Sequence, residues 1–154
     1  MLYIRAHHLF CTLLFAGHGY SDGFTRGMTE TVSLLRSDLS QELCLQCRPD
    51  RVCSQCPRLE GSRCSANNDA ASAMDAALLE RLHLREDRTY TYEELLRTAV
   101  LNVREEDFAA VCSAVCGGCS WFAGGYCGAG QMISQAEALL NGKEEQDRED
   151  HSRQ

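Results

Sequence analysis

A net positive charge is missing from this chain: 15 lysines and arginines face 22 aspartates and glutamates in 154 residues, a formal charge of -7. Without a basic surface, neither a nucleic-acid backbone nor an anionic membrane is an expected partner. The stretch 142–154 holds five acids against three bases and so contributes only -2, which leaves most of the acidity to the body. Long hydrophobic runs are missing as well. The apolar stretch from Leu9 to Ala16 is eight residues long, whereas a bilayer-spanning helix needs about 20. It superficially imitates a signal peptide, but two histidines precede it and no A-x-A cleavage site follows, so the expectation is a folded helix in a reduced, cytoplasmic protein. A glycine-rich phosphate loop, a Ser/His/Asp arrangement and the bacterial ferredoxin run C-x2-C-x2-C-x3-C-P are also absent, which argues against nucleotide chemistry, serine hydrolysis and a simple ferredoxin.

Cysteine, in contrast, is abundant. Ten are present: Cys11, Cys44, Cys47, Cys53, Cys56, Cys64, Cys112, Cys116, Cys119 and Cys127. A chain of this length closes a hydrophobic core without disulfide staples, and clustered C-x-x-C pairs in a reducing compartment point to metal or redox chemistry. Residues 53–64 read CSQCPRLEGSRC and residues 116–127 read CGGCSWFAGGYC, two copies of C-x2-C-x7-C. A two-residue gap lets two thiolates converge on one centre while the turn between them aims backbone N-H groups at sulfur. Gly117 and Gly118 ease that turn, and Pro57 fixes the chain direction after Cys56. Seven further residues return a third thiolate.

Three thiolates complete neither a tetrahedral zinc site nor an all-cysteine cluster. Candidate fourth ligands are Cys11, one helical turn after His7 and His8, and Cys112, one turn before Cys116. Cys44 and Cys47 form another pair, but five residues separate them from Cys53, a link far shorter than a zinc ribbon uses. Zinc held by three cysteines and a histidine stays open as an alternative. Iron with inorganic sulfide suits clustered thiolates and scattered fourth ligands better. The C-x3-C-x2-C spacing of Cys112, Cys116 and Cys119 matches radical S-adenosylmethionine enzymes, which carry it near the start of a large barrel; only 35 residues follow Cys119 here. Each residue also has a plainer reading. Cys11 and Cys112 sit at apolar helical spacing and suit a core, histidines often cap or pack, and Trp121 and Phe122 suit a water shield.

Along the chain, Leu2 to Arg5 suits a short strand and His7 to Phe15 an apolar helix ending at Gly17. The stretch GHGYS suits a turn. Ser21 is a fitting N-cap for a helix burying Phe24, Met28, Val32, Leu35 and Leu39. From Gln41 to Asn67 the periodicity dissolves, as in a segment ordered by metal. Helices are expected from Asp69 to Leu84, after a capping box of Thr91 and Glu94, from Glu105 to Val115, and from Gln131 to Leu140. The expected organisation is a cysteine-rich helical domain over residues 1–141 and an acidic, disordered tail over 142–154.

RAHHLFC at 5–11, GHGYS at 17–21, CSQCP at 53–57 with Cys64, and CGGCSWFAGGYC at 116–127 together resemble a family of small bacterial and archaeal cysteine-rich proteins of unknown function. The resemblance spans about residues 2 to 130. It implies iron-sulfur binding, with Arg5, His7, His8, Cys11, Cys53, Cys56, Cys64, Cys116, Cys119 and Cys127 on the family motifs. Cys44, Cys47 and Cys112 fall outside them, and the resemblance implies no substrate.

The expectation is a mostly α-helical single domain with minor β structure, organised around cysteine-ligated metal. The seven motif cysteines would hold one or two iron-sulfur clusters of the 4Fe-4S type in a redox or electron-transfer role with a partner protein. One alternative is an enzyme whose open cluster binds a small substrate, with His7, His8 and Arg5 as candidate catalytic or anion-binding groups. A zinc-stabilised interaction module is the other.

Overall fold

Two short apolar runs set the centre of the molecule. β1 (Leu2–Arg5) lies parallel to β2 (Glu42–Gln46), with Leu2 opposite Leu43 and Arg5 opposite Gln46. A parallel pair needs a long crossover, supplied here by α1 (His8–Leu14) and α2 (Asp22–Ser37). β5 (Thr89–Thr91) pairs antiparallel with the other edge of β2, so the sheet order is β1-β2-β5. The computed structural model describes residues 1–15, 21–66, 70–105, 108–125 and 127–153; the side chains of Leu14, residues 102–105, Phe108 and Ser120 are also outside it. The expected features at Gly17, GHGY, Asn67, Asp69 and Tyr126 therefore lie outside the described residues.

Helix predominates, as the apolar periodicity requires, and builds one compact domain. After a small hairpin, β3 (Leu59–Glu60) and β4 (Arg63–Cys64), come α3 (Ala71–Arg81), α4 (Tyr92–Glu105), α5 (Phe108–Cys116), the single turn α6 (Ser120–Ala123) and α7 (Ala129–Ser152). Local signals start the helices where expected. Ser21 Oγ accepts from the Phe24 N-H at 3.1 Å. The Thr91 N-H donates to Glu94 Oε2 at 2.7 Å while the Glu94 N-H donates to Thr91 Oγ1 at 3.1 Å, a reciprocal capping box.

The main core joins Leu9, Phe10 and Leu13 of α1 to Leu43 and Leu45 of β2, Leu78 of α3, and Tyr92, Leu95 and Leu96 of α4. A smaller cluster of Phe24, Met28, Val32 and Val52 packs against Cys11, Cys56 and Trp121. This second cluster borders the cysteines.

Two segments depart from expectation. Glu42–Gln46 is a strand, not irregular chain: Leu43 to Gln46 are all buried, so a doubly covered central strand shows no alternation. The stretch expected as a disordered tail continues as helix to Ser152. Leu140 is buried against the core, Lys143 pairs with Asp147 at 2.9 Å within the helix, and Lys143 and Glu144 reach Glu93 and Arg97 of α4.

Candidate metal and ligand site

Because β1 runs parallel to β2, both strands end at the same edge. Ala6 extends the pairing, its N-H donating to the Gln46 carbonyl at 2.8 Å. The turn into α1 therefore meets the segment leaving β2. Arg5, His7, His8 and Cys11 come from the first, and Cys53, Cys56 and Cys64 from the second. With Cys119 and Trp121 they line one cavity of about 50 Å³. Five of the seven motif cysteines thus face a shared space. Cys116 and Cys127 lie beside it, in and against the main core.

Two buried acids organise this corner, and reading the sequence missed both. Asp50 Oδ2 accepts from the Arg5 backbone N-H at 2.8 Å and from His8 Nδ1 at 2.7 Å; its Oδ1 accepts from the N-H groups of Val52 at 2.9 Å and Cys53 at 3.2 Å. Asp75 Oδ1 accepts from the backbone N-H and Nδ1 of His7 at 3.0 and 2.7 Å, and its Oδ2 from Arg5 Nε at 2.7 Å. Burial opposes ionisation of each acid, but the hydrogen bonds and the nearby rings outweigh it and hold both carboxyls below the usual carboxylate range. Both oxygens therefore act as acceptors, and each ring donates through Nδ1. Nε2 is left as the nitrogen available to the cavity. A signal did exist for Asp75, which shares the buried face of α3 with Ala71 and Leu78. A charged residue on an apolar face requires a partner.

The two C-x2-C turns close alike: the Cys56 N-H donates to the Cys53 carbonyl at 2.9 Å, and the Cys119 N-H to the Cys116 carbonyl at 2.8 Å. At the second turn a side chain in place of Gly117 would bring its Cβ to 2.5 Å from the Ser113 carbonyl oxygen, so glycine is required there. At the first, the Arg58 N-H points at Cys56 Sγ at 3.4 Å. Beyond these turns the repeats diverge. The first returns its third cysteine through the β3-β4 hairpin, whose Gly61 has φ +63°, and the second through α6. Equal spacing is built on unequal backbones.

The electrostatics sort the thiols further. Burial pushes the Cys11 thiol well above its ordinary value, and Cys116, Cys119 and Cys127 push it further. Burial with the neighbouring Cys112, Cys119 and Cys127 pushes Cys116 up to about 12. Cys53 is also pushed up to about 12, by burial and then by Asp50, and Cys56 is raised by burial and Cys64. Three thiols, Cys116, Cys119 and Cys127, thus act on Cys11, while Cys53 stands beside Arg5 and Asp50. Groups this costly to ionise alone become thiolates when a bound cation offsets their charge.

The remaining cysteines do not line the cavity. Cys112 is fully buried, with Sγ 3.8 Å from Met132 Sδ. Cys44 is buried in β2 beside Thr89 and Asp87. Cys47 stands behind Arg5, in a neighbouring pocket with Cys64. All ten are free thiols. Trp121 meets Phe24 edge-on at 5.6 Å on the cavity wall.

His8, Asp50 and Cys53 offer ligand atoms within 4.8 Å of one another and could hold a metal ion. Asp50 already accepts four hydrogen bonds there, so its geometry is that of a carboxylate orienting a histidine rather than of a ligand. The fold and site define a cysteine-rich, mainly helical domain with a candidate metal centre. Residues 19–125 match the family described as Protein of unknown function (DUF1284), and the chain belongs to that family. The matched span includes Cys53, Cys56, Cys64, Cys116 and Cys119; the RAHHLFC segment and Cys127 lie outside it. No curated protein and no solved structure matches the chain. Among the described residues no helix is long and apolar enough to cross a membrane.

Proposed function

We propose that this protein binds iron-sulfur clusters and serves in electron transfer to a partner protein. In this reading Cys11, Cys116, Cys119 and Cys127 are the four thiolates of a 4Fe-4S cluster, and Cys53, Cys56 and Cys64 form a second, three-thiolate set. The observation that carries it is the cavity that Cys11 shares with Cys119, more than 100 residues away in sequence, and with the whole first triplet. The donor set fits, since closely grouped soft thiolates suit iron with inorganic sulfide. A bound cluster supplies one-electron chemistry. The chain supplies burial, with Phe24, Met28 and Trp121 excluding water, and N-H groups directed at sulfur.

Anaerobic purification followed by iron, zinc and acid-labile sulfide analysis tests the reading. Iron and sulfide in comparable amounts are expected. Zinc without sulfide would overturn it in favour of a zinc-stabilised interaction module.

A further inference from the structure

Among the described residues, Arg5 Nη1 is a buried side-chain donor with no hydrogen-bond partner, on a side chain only 4% exposed. Elsewhere on the guanidinium, Nε donates to Asp75, and a further side-chain hydrogen bond goes to Cys53. A charged donor withdrawn from water and left unmatched is costly, and folded proteins seldom keep one without a ligand or an ion for it. Arg5 lines the inner cavity and also an outer pocket that it shares with Cys47, Arg48 and Arg63. Cys64 and Ala71 border both spaces as Arg5 does, so the three form the partition between the inner cavity and the outer pocket.

The histidines specify the ligand further. With Nδ1-H given to Asp75, a neutral His7 ring offers Nε2 as an acceptor. His8, its ring 4.6 Å from that of His7, is held the same way by Asp50. The site therefore combines an uncommitted guanidinium donor with acceptors for a hydroxyl. We infer that Arg5, His7 and His8 form a binding site for a small hydroxycarboxylate, one carboxylate oxygen on Arg5 Nη1 and the hydroxyl on a histidine Nε2. Asp50 and Asp75 hold these groups in place through their own hydrogen bonds. The three groups are this chain's own side chains, and they share their cavity with Cys11, Cys53, Cys56, Cys64 and Cys119.

The test is calorimetric titration of anaerobically purified full-length protein with glycolate, acetate and inorganic phosphate, with iron and sulfide measured on the same samples. Saturable glycolate binding, several-fold tighter than acetate, is expected. Arg5→Lys keeps the charge beside Asp75 but loses the fork, and should weaken glycolate about tenfold or more with metal content unchanged. Ala71→Leu fills the wall shared by the two pockets and should abolish binding without touching Arg5. That variant decides the matter together with wild type if Arg5→Lys does not fold. Absent glycolate binding, glycolate no better than acetate, or displacement of glycolate by phosphate would each overturn the inference even with iron and sulfide present. Glycolate binding to protein lacking sulfide would instead sink the cluster reading and leave this one standing.

Discussion

His8 Nδ1 and Asp50 Oδ2 meet at 2.7 Å across 42 positions of sequence, and the other oxygen of Asp50 holds the Cys53 N-H at 3.2 Å. One buried carboxylate therefore ties the start of α1 to the loop that delivers the first cysteine of the first triplet. The segment that carries the first triplet is thus anchored by the fold itself.

Removing that anchor should be costly. Asp50→Ala leaves His8 and three backbone N-H groups without their acceptor, and breaking a buried pair of this kind costs about 3–5 kcal/mol. A urea titration followed by circular dichroism should show a lower midpoint. Asp50→Asn keeps the shape and part of the hydrogen bonding and should fall between that variant and wild type.

Acid should loosen the same corner in two stages. Burial outweighs the pull of Asp75 and lowers the pKa of His7, while hydrogen bonds from His7 and Arg5 outweigh burial and lower that of Asp75. In each case the unfolded chain binds more protons than the folded one, so stability rises with pH across the window. The His7 contribution is complete above its ordinary value of about 6.5 and is lost as pH falls below it; the Asp75 contribution is lost below about 3.9. Urea midpoints measured from pH 7 downward should therefore decline, and His7→Asn should flatten the slope that starts near 6.5.

Much of the fold was legible because its signals are local. Ser21 and the Thr91-Glu94 box mark helix starts through bonds within three residues, and the buried face of α2 follows a 3.6-residue period. β2 was not legible, since burial on both faces erases alternation. The helical end of α7 was hidden by its charge, which is spent partly in pairs to α4 that no single segment reveals. At the site, thiol spacing singled out Cys53, Cys56, Cys64 and Cys119, which line the cavity, together with Cys116 and Cys127, which do not; Cys11 lines it without belonging to either repeat. Asp50 and Asp75 escaped because their partners lie 42 to 70 residues away.

Two cysteines are candidate fourth ligands by helical position, Cys11 on the family motifs and Cys112 outside them. Cys11 borders the cavity, whereas Cys112, although its thiol neighbours Cys116 and Cys127, is fully buried against Met132 and does not line it. Cys11→Ser should alter the visible absorption of anaerobically prepared protein and lower its iron and sulfide content. Cys112→Ala should leave the spectrum as in wild type and act only through packing, by about 1–2 kcal/mol. An unchanged spectrum in Cys11→Ser would return Cys11 to the small core cluster of Phe24 and Met28.

The two ends of α7 should respond differently to change, although they belong to one helix. Leu140 is 6% exposed and packs into the main core, so Leu140→Ala should cost about 2–5 kcal/mol. Beyond it the helix is held by exposed charge pairs, Lys143 with Asp147 and Glu93, and Glu144 with Arg97. Such pairs trade modest attraction for side-chain order and are screened by salt. Deleting residues 144–154 should therefore leave the thermal midpoint within error of the full chain at 0.5 M salt, with any small loss confined to low ionic strength. A large drop on deletion at high salt would mean that apolar contacts of the last turns, not the charge pairs, tie this helix to α4.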